Sequence, residues 1–105
     1  MAIRVIVEFQ AKPGARGELA SALDDIMAKL GPGIPGFLGS TLYEVLDSPD
    51  ALIEIAEWAS ADAQAAAVEH AMAIGAYGPV FELVAAPLKA TRIGQLDERR
   101  AVTVK

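Results

Sequence analysis

Residues 35–60 read PGFLGSTLYEVLDSPDALIEIAEWAS, and this stretch decides the fold. β-branched and aromatic side chains predict a strand over residues 37–46, and a second apolar run predicts another over 52–58. Asp47-Ser48-Pro49-Asp50 lies between them and predicts a turn, because Asp and Ser bond to nearby backbone and Pro fixes φ. So short a connection joins antiparallel strands, and the stretch therefore predicts a β-hairpin.

The chain before this hairpin supplies one strand and one helix. Apolar residues alternate with polar ones over residues 3–9, which predicts a strand, although Ile6 interrupts the polar side. Leucine, isoleucine, methionine and alanine recur at helical spacing over residues 15–30, which predicts an amphipathic helix with one buried face. Gly31-Pro32-Gly33 ends that helix.

The chain after the hairpin supplies a second helix and a fourth strand. Ser60 can cap a helix that we expect to run through an alanine-rich stretch to Met72. A short helical turn over residues 79–84 and a strand over 88–96 are expected to follow. We expect residues 97–105 to form a tail or an extra edge strand, and residues 1–105 to form a single domain.

The element order β-α-β-β-α-β predicts an α+β fold of the ferredoxin-like class. This fold has a four-stranded antiparallel sheet with both helices on one face, which leaves the other face open. Depending on register, the open face carries Ile6, Leu42 or Tyr43, and Trp58 or Ile55. Such an apolar face is a liability for a monomer, so we expect a homodimer in which two copies pack sheet against sheet.

Composition excludes several classes of function. The chain has 105 residues and a formal net charge of −5, whereas a nucleic-acid partner would require clustered basic residues. It has no cysteine and one histidine, so we expect no disulfide and no metal site within one chain. Its apolar runs are too short to span a membrane, and its N-terminus does not read as an export signal. We therefore expect a cytoplasmic protein.

Three short motifs mark the ends of the predicted strands. Lys12-Pro13-Gly14 follows the first strand, Pro35-Gly36-Phe37-Leu38-Gly39-Ser40 begins the second, and Glu57-Trp58-Ala59-Ser60 closes the third. In this order and at this spacing, together with Leu42-Tyr43 and the turn at residues 47–50, they resemble the antibiotic biosynthesis monooxygenase family over about residues 3–96. The resemblance implies a dimeric α/β barrel built of ferredoxin-like protomers.

Members of this family carry out two kinds of reaction. Some members of the family oxidise phenolic polycyclic or quinol substrates with molecular oxygen and without a metal or flavin, and others degrade haem. The haem-degrading members use an asparagine in the first strand, where this chain has Val7. They also use a tryptophan and a histidine on or after the second helix, where it has Ala67 and the Ala76-Tyr77 region. We therefore do not expect haem degradation.

The oxidising members suggest a first candidate site residue. Their tryptophan at the end of the third strand corresponds to Trp58, their asparagine to Glu54 and their helix tyrosine to Gln64. Quinol-oxidising members carry histidines in the second helix, where His70 lies out of register. Trp58 is the site position that this chain retains.

Three residues are candidate catalytic groups. Trp58 can stack on a planar substrate and donate a hydrogen bond, or it can fill the core or a dimer interface. Glu54 shares a strand face with Trp58, and enclosure there would raise its pKa and make it a base for a phenol proton. The alternative is a solvated Glu54 or one paired with Arg92. His70 can move protons at a cavity mouth, or it can lie on the surface.

Three further residues, Tyr43, Tyr77 and Arg92, are candidate substrate-binding groups, because they can donate to a substrate oxygen or stabilise an anion. Both tyrosines are also compatible with simple packing. We predict a cofactor-independent monooxygenase that acts on a small aromatic, phenolic or quinone-like molecule with molecular oxygen. Two alternatives stay open: a non-catalytic small-molecule-binding or cyclase-like protein of the same fold, and a structural dimer without a ligand.

Overall fold

The computed structural model describes residues 2–96, and the predicted tail over residues 97–105 lies outside them. Within this range the elements follow the predicted order: β1 (Ile3–Gln10), α1 (Arg16–Leu30), β2 (Phe37–Glu44), β3 (Ala51–Trp58), α2 (Ala61–Ala73), α3 (Gly78–Leu83) and β4 (Lys89–Ile93). A 3₁₀ turn over Gly31–Gly33 joins α1 to β2. No helix in the described range is both long and apolar enough to cross a membrane.

The strands form one antiparallel sheet in the order β2-β3-β1-β4. This confirms the predicted ferredoxin-like α+β fold. Two strands are shorter than the sequence predicts. β2 ends at Glu44, and Leu46 lies beyond it in the turn, where it is 86% exposed. β4 is confined to Lys89–Ile93, where it pairs with β1 between Arg4 and Glu8.

The helices cover one face of this sheet, and the side chains beneath them form two clusters rather than one continuous core. The first cluster lies where α1 and α3 meet the ends of β1 and β3, and it contains Phe9, Leu19, Leu23, Leu52 and Val80. The second lies under the start of α2 and contains Val5, Ala56 and Trp58. α1 and α2 do not pack closely against each other, so side chains of the two helices do not fill the space between them.

The opposite face of the sheet carries no helix. The strand register places Ile6 opposite Ile55 and Tyr43 opposite Ile53 on this open face. Of the alternatives that the sequence left open, Ile6, Tyr43 and Ile55 therefore lie on the open face. Leu42 and Trp58 lie on the covered face, beneath the helices.

The turn before β2 lies directly against the first turn of α2. Gly36 has a φ of +80°, and a Cβ placed on it would lie 2.6 Å from the Cβ of Ala63. Its carbonyl accepts a hydrogen bond of 2.8 Å from the N–H of Ala59. Ser60 caps α2 as predicted, because its Oγ accepts a hydrogen bond of 3.1 Å from the N–H of Ala63. A glycine at position 36 therefore allows α2 to start close to the end of the hairpin.

Replacing this glycine tests the contact. We expect Gly36→Ala to lower the free energy of unfolding by about 2–4 kcal/mol, because it adds steric overlap with Ala63 to a backbone strain of roughly 1–2 kcal/mol. Gly14→Ala is the matched control, since Gly14 has a φ of +76° but no atom within 4 Å of its Cβ position. Chemical denaturation of both variants measures the difference. Equal losses would show that the Ala63 contact contributes nothing.

Candidate functional site

A cavity of about 620 Å³ lies between the covered face of the sheet, the second half of α1, and α2. Its floor is formed by side chains of β1 and β3, namely Val5, Val7, Glu54, Ala56 and Trp58. Exposed residues of both helices, including Lys29 and His70, also line it, so the cavity opens to solvent in the gap between α1 and α2. The site therefore combines a buried floor with an accessible mouth.

The alanine-rich sequence of α2 explains why this space stays empty. Ala63, Ala67 and Ala71 are four residues apart, and all three line the cavity from one face of the helix. Ala63 and Ala67 pack against the second cluster, but a methyl group is too short to fill the space where a leucine would reach. The alanine side chains of this helix are therefore too small to fill the space above the sheet, and a cavity remains there.

Trp58 is both part of the core and part of the cavity wall. Its side chain is 7% exposed, and its ring centroid lies 5.1 Å from that of Phe37 with the planes tilted by 58°. Its neighbours across the strands are Ile3 and Phe37. No hydrogen bond within residues 2–96 engages its indole N–H, which leaves a donor for a ligand. The indole does not lie on the open face, so a face-to-face sheet contact would not bury it.

Glu54 lies on the same strand face as Trp58, as the sequence predicts. Its neighbours across the strands are Val7 and Leu42, both apolar. No ion pair or hydrogen bond within residues 2–96 engages its carboxylate. Burial raises the pKa of Glu54 above its ordinary value of 4.5, and the negative charge of Asp24 on α1 raises it further. Glu54 is therefore an unpaired proton acceptor inside an apolar cavity.

Tyr77 joins Glu54 at this part of the cavity. It lies in the turn between α2 and α3, two residues after Gly75, whose φ is +69°. Burial raises the pKa of Tyr77 above its ordinary value of 10.0, and the charge of Glu54 adds to this effect. The phenol of Tyr77 therefore stays protonated at neutral pH. A hydrogen-bond donor and an acceptor thus stand near each other in the cavity.

The structure brings His70 to the cavity but not Tyr43 or Arg92. His70 is an exposed residue of α2 at the cavity rim. Tyr43 lies on the open face because a bulge between Phe37 and Gly39 shifts the register of β2 by one residue. Arg92 is exposed on β4, which is separated from β3 by β1. It forms no ion pair with Glu54, contrary to the pairing that the sequence suggested.

Three residues that were not among the candidates from the sequence line the cavity or act on it. Lys29 lines the cavity although it lies off the apolar stripe of α1, and Gln64 lines it at the position where oxidising members of the family carry a tyrosine. Asp24 acts on Glu54 through its charge. The residue spacing gave no signal for Lys29 or Asp24, because both lie on the side of the helix predicted to face solvent. Within residues 2–96, no three His, Asp or Glu side chains lie close enough to hold a metal ion.

Comparison with known proteins agrees with this architecture. The sequence profile of the antibiotic biosynthesis monooxygenase family matches residues 2–74. SnoaB, a cofactor-independent oxygenase from Streptomyces nogalater, is 20% identical, with a TM-score of 0.78 over 92% of this chain and 95% of that one. Rv0793 from Mycobacterium tuberculosis is 26% identical, with a TM-score of 0.74 over 95% and 100%.

A conserved protein from Methanosarcina mazei is 17% identical, with a TM-score of 0.76 over 89% of this chain and 91% of that one. No functionally curated protein matches the sequence. The structural similarity extends over nearly the whole chain, beyond the residues that the family profile matches. It supports the assignment of the fold.

The raised pKa of Glu54 leads to a prediction about stability. The folded chain binds the Glu54 proton more tightly than the unfolded chain does, so the stability that Glu54 contributes is lost as pH rises through its raised pKa. We expect Glu54→Gln to raise the thermal midpoint by a few degrees near pH 8. Near pH 4 the two proteins should differ little, because Glu54 is then largely protonated in both states.

The matched control is Glu69→Gln, which removes the same charge from an exposed position on α2. It should leave the midpoint nearly unchanged at both pH values. If Glu54→Gln has the same effect as this control, or destabilises the protein near pH 8, the carboxylate is not desolvated in the folded chain.

Proposed function

The chain belongs to the antibiotic biosynthesis monooxygenase family, and from this premise we propose that it is a cofactor-independent monooxygenase acting on a small phenolic or quinol substrate. The observation that carries the proposal is that Trp58 and Glu54 both line the floor of one cavity. An apolar cavity with a few convergent polar groups is the usual form of a small-molecule site. Its volume of about 620 Å³ accommodates an aromatic molecule of several rings.

The arrangement supplies what an activated phenol needs in order to react with oxygen. The indole of Trp58 offers a surface for the substrate ring, and the carboxylate of Glu54 takes the phenol proton. The hydroxyl of Tyr77 donates a hydrogen bond to the resulting oxygen anion. His70, which lines the cavity at its rim, then passes the proton on to solvent.

The electron-rich anion then reduces molecular oxygen, which adds to a ring carbon. For a ring methylene group, loss of water leaves a carbonyl, so one oxygen atom enters the product and the other leaves as water. The electrons come from the substrate, so this route needs no metal or organic cofactor. The protein contributes orientation, a base and stabilisation of the anion.

Oxygen consumption tests this function. With a panel of anthrones and hydroquinones, we expect the wild-type protein to consume oxygen in proportion to substrate turned over. Glu54→Gln should lower kcat/KM by about 10²–10⁴-fold, the usual range for loss of a general base. The wild-type rate should fall as pH drops through the raised pKa of Glu54, because only the carboxylate accepts a proton.

Glu69→Gln serves as the control here too and should retain the wild-type rate and pH profile. The same compounds should quench the fluorescence of Trp58, the single tryptophan, in a saturable way. Saturable quenching without oxygen consumption would replace the monooxygenase with a binding protein of the same fold. The absence of both would contradict the proposed site.

The partner that we propose for the open face is a second copy of the chain. Ile6, Ile53 and Ile55 form the centre of this face. Two ion pairs flank them, Arg4 with Glu57 at 3.7 Å and Lys89 with Glu8 at 3.8 Å. An apolar centre with a charged rim favours a self-complementary contact, in which each copy covers the isoleucines of the other.

Sedimentation tests the dimer. At micromolar concentration we expect a species of about 22 kDa, twice the chain mass of 11.0 kDa. Ile6→Asp should yield a monomer, because it places a charge in the apolar contact. Ala28→Asp introduces the same charge at an exposed position of α1 and should remain dimeric. A wild-type monomer would contradict the sheet-to-sheet contact.

A further inference from the structure

The cavity has two ends of different electrostatic character. β3 runs along its floor, with Glu54 towards one end and Trp58 at the other, a separation of roughly 13 Å for four residues of strand. The charge of Asp24 acts on Glu54, and the charge of Glu54 acts on Tyr77, so this end holds negative charge and a hydroxyl donor. We call it the acidic end.

The opposite end holds donors and a cation. α1 ends at Leu30, and the following turn leads into β2 at Phe37, which pairs with Trp58. Lys29 therefore lies on the last turn of α1, near Trp58. α2 begins three residues after Trp58, so Gln64 lies on its first turns at the same end. Both side chains line the cavity, one from each helix, and we call this the basic end.

The polar groups of the basic end have no partner within residues 2–96. No ion pair there engages the ammonium group of Lys29, and no hydrogen bond engages the amide of Gln64. Lys29 also suits the C-terminal end of α1, where a cation interacts favourably with the helix dipole. That role does not require the side chain to line the cavity, whereas binding a ligand does.

We propose that the cavity selects a hydroxylated aromatic acid and binds it in one orientation, with the hydroxyl at Glu54 and the carboxylate at Lys29 and Gln64. The inference rests on the proposed function for the role of Glu54. A carboxylate pairs favourably with the ammonium group and the amide N–H at the basic end. Glu54 and Asp24 repel it from the acidic end. Attraction at one end and repulsion at the other fix which way round the substrate lies.

Calorimetric titration with two compounds of the same shape tests this selectivity. The probes are 6-hydroxy-2-naphthoate and its methyl ester, which differ in the negative charge. We expect the wild-type protein to bind the acid about fivefold more tightly than the ester, as is usual for a partly exposed ion pair supported by a hydrogen bond. Added salt should reduce this preference, because the pair is partly exposed to solvent.

Three variants assign the preference to Lys29. Lys29→Gln should lose most of the preference for the acid, because it removes the charge that pairs with the carboxylate, and should weaken the binding of the acid far more than that of the ester. Lys29→Arg keeps the charge and should retain the preference. Lys12→Gln makes the same change of net charge at an exposed position outside the cavity and should also retain it.

Equal binding of acid and ester by the wild-type protein would overturn the inference. An equal weakening of both compounds in Lys29→Gln would do the same, since it would assign Lys29 a structural role. If neither compound binds, the inference fails while oxygen consumption with neutral anthrones and hydroquinones remains a separate test of the proposed function.

Discussion

The contact between Gly36 and Ala63 sets the distance between the hairpin and α2, and the site depends on that distance. The hydrogen bond from the N–H of Ala59 to the carbonyl of Gly36 joins the same two segments, the turn before β2 and the start of α2, and we call this junction the hairpin corner. Phe37 follows immediately and packs its ring against Trp58. Once this corner is fixed, the remainder of α2 extends over the sheet without reaching α1, and the gap between the two helices becomes the cavity.

Glu54 places a carboxylate where an apolar side chain would give a more stable protein. Val7 and Leu42 on either side of it offer no hydrogen bond, so the carboxyl group is poorly solvated in the folded chain. Functional sites commonly carry such a group, because the same desolvation that weakens the fold makes the carboxylate a better base. The core is also divided into two clusters, and residues packed against each of them line the cavity.

Local patterns in the sequence were sufficient for the fold and for part of the site. Alternation in β1 and β3 and the turn between β2 and β3 define the hairpin and place Glu54 and Trp58 on one face. The face of Tyr43 depends on a bulge at the start of β2, where Gly39 has a φ of +133°, and alternation of apolar and polar residues alone does not reveal it. The distance of Arg92 from Glu54 depends on strand order. An alanine-rich helix is equally compatible with close packing and with a cavity, so the cavity itself could not be predicted.

The alanine face of α2 also bears on how this protein diverges in evolution. Ala63 is held by its contact with Gly36 and Ala67 packs against the second cluster, whereas Ala66 lines the cavity at an exposed position and belongs to neither cluster. A single nucleotide change converts an alanine codon into a valine codon, and the added methyl groups would enter empty space instead of a packed core. Successive changes on this side of the helix can therefore reshape the cavity while the sheet and the contact between Gly36 and Ala63 stay intact. The shape of the cavity can therefore change without a loss of the fold.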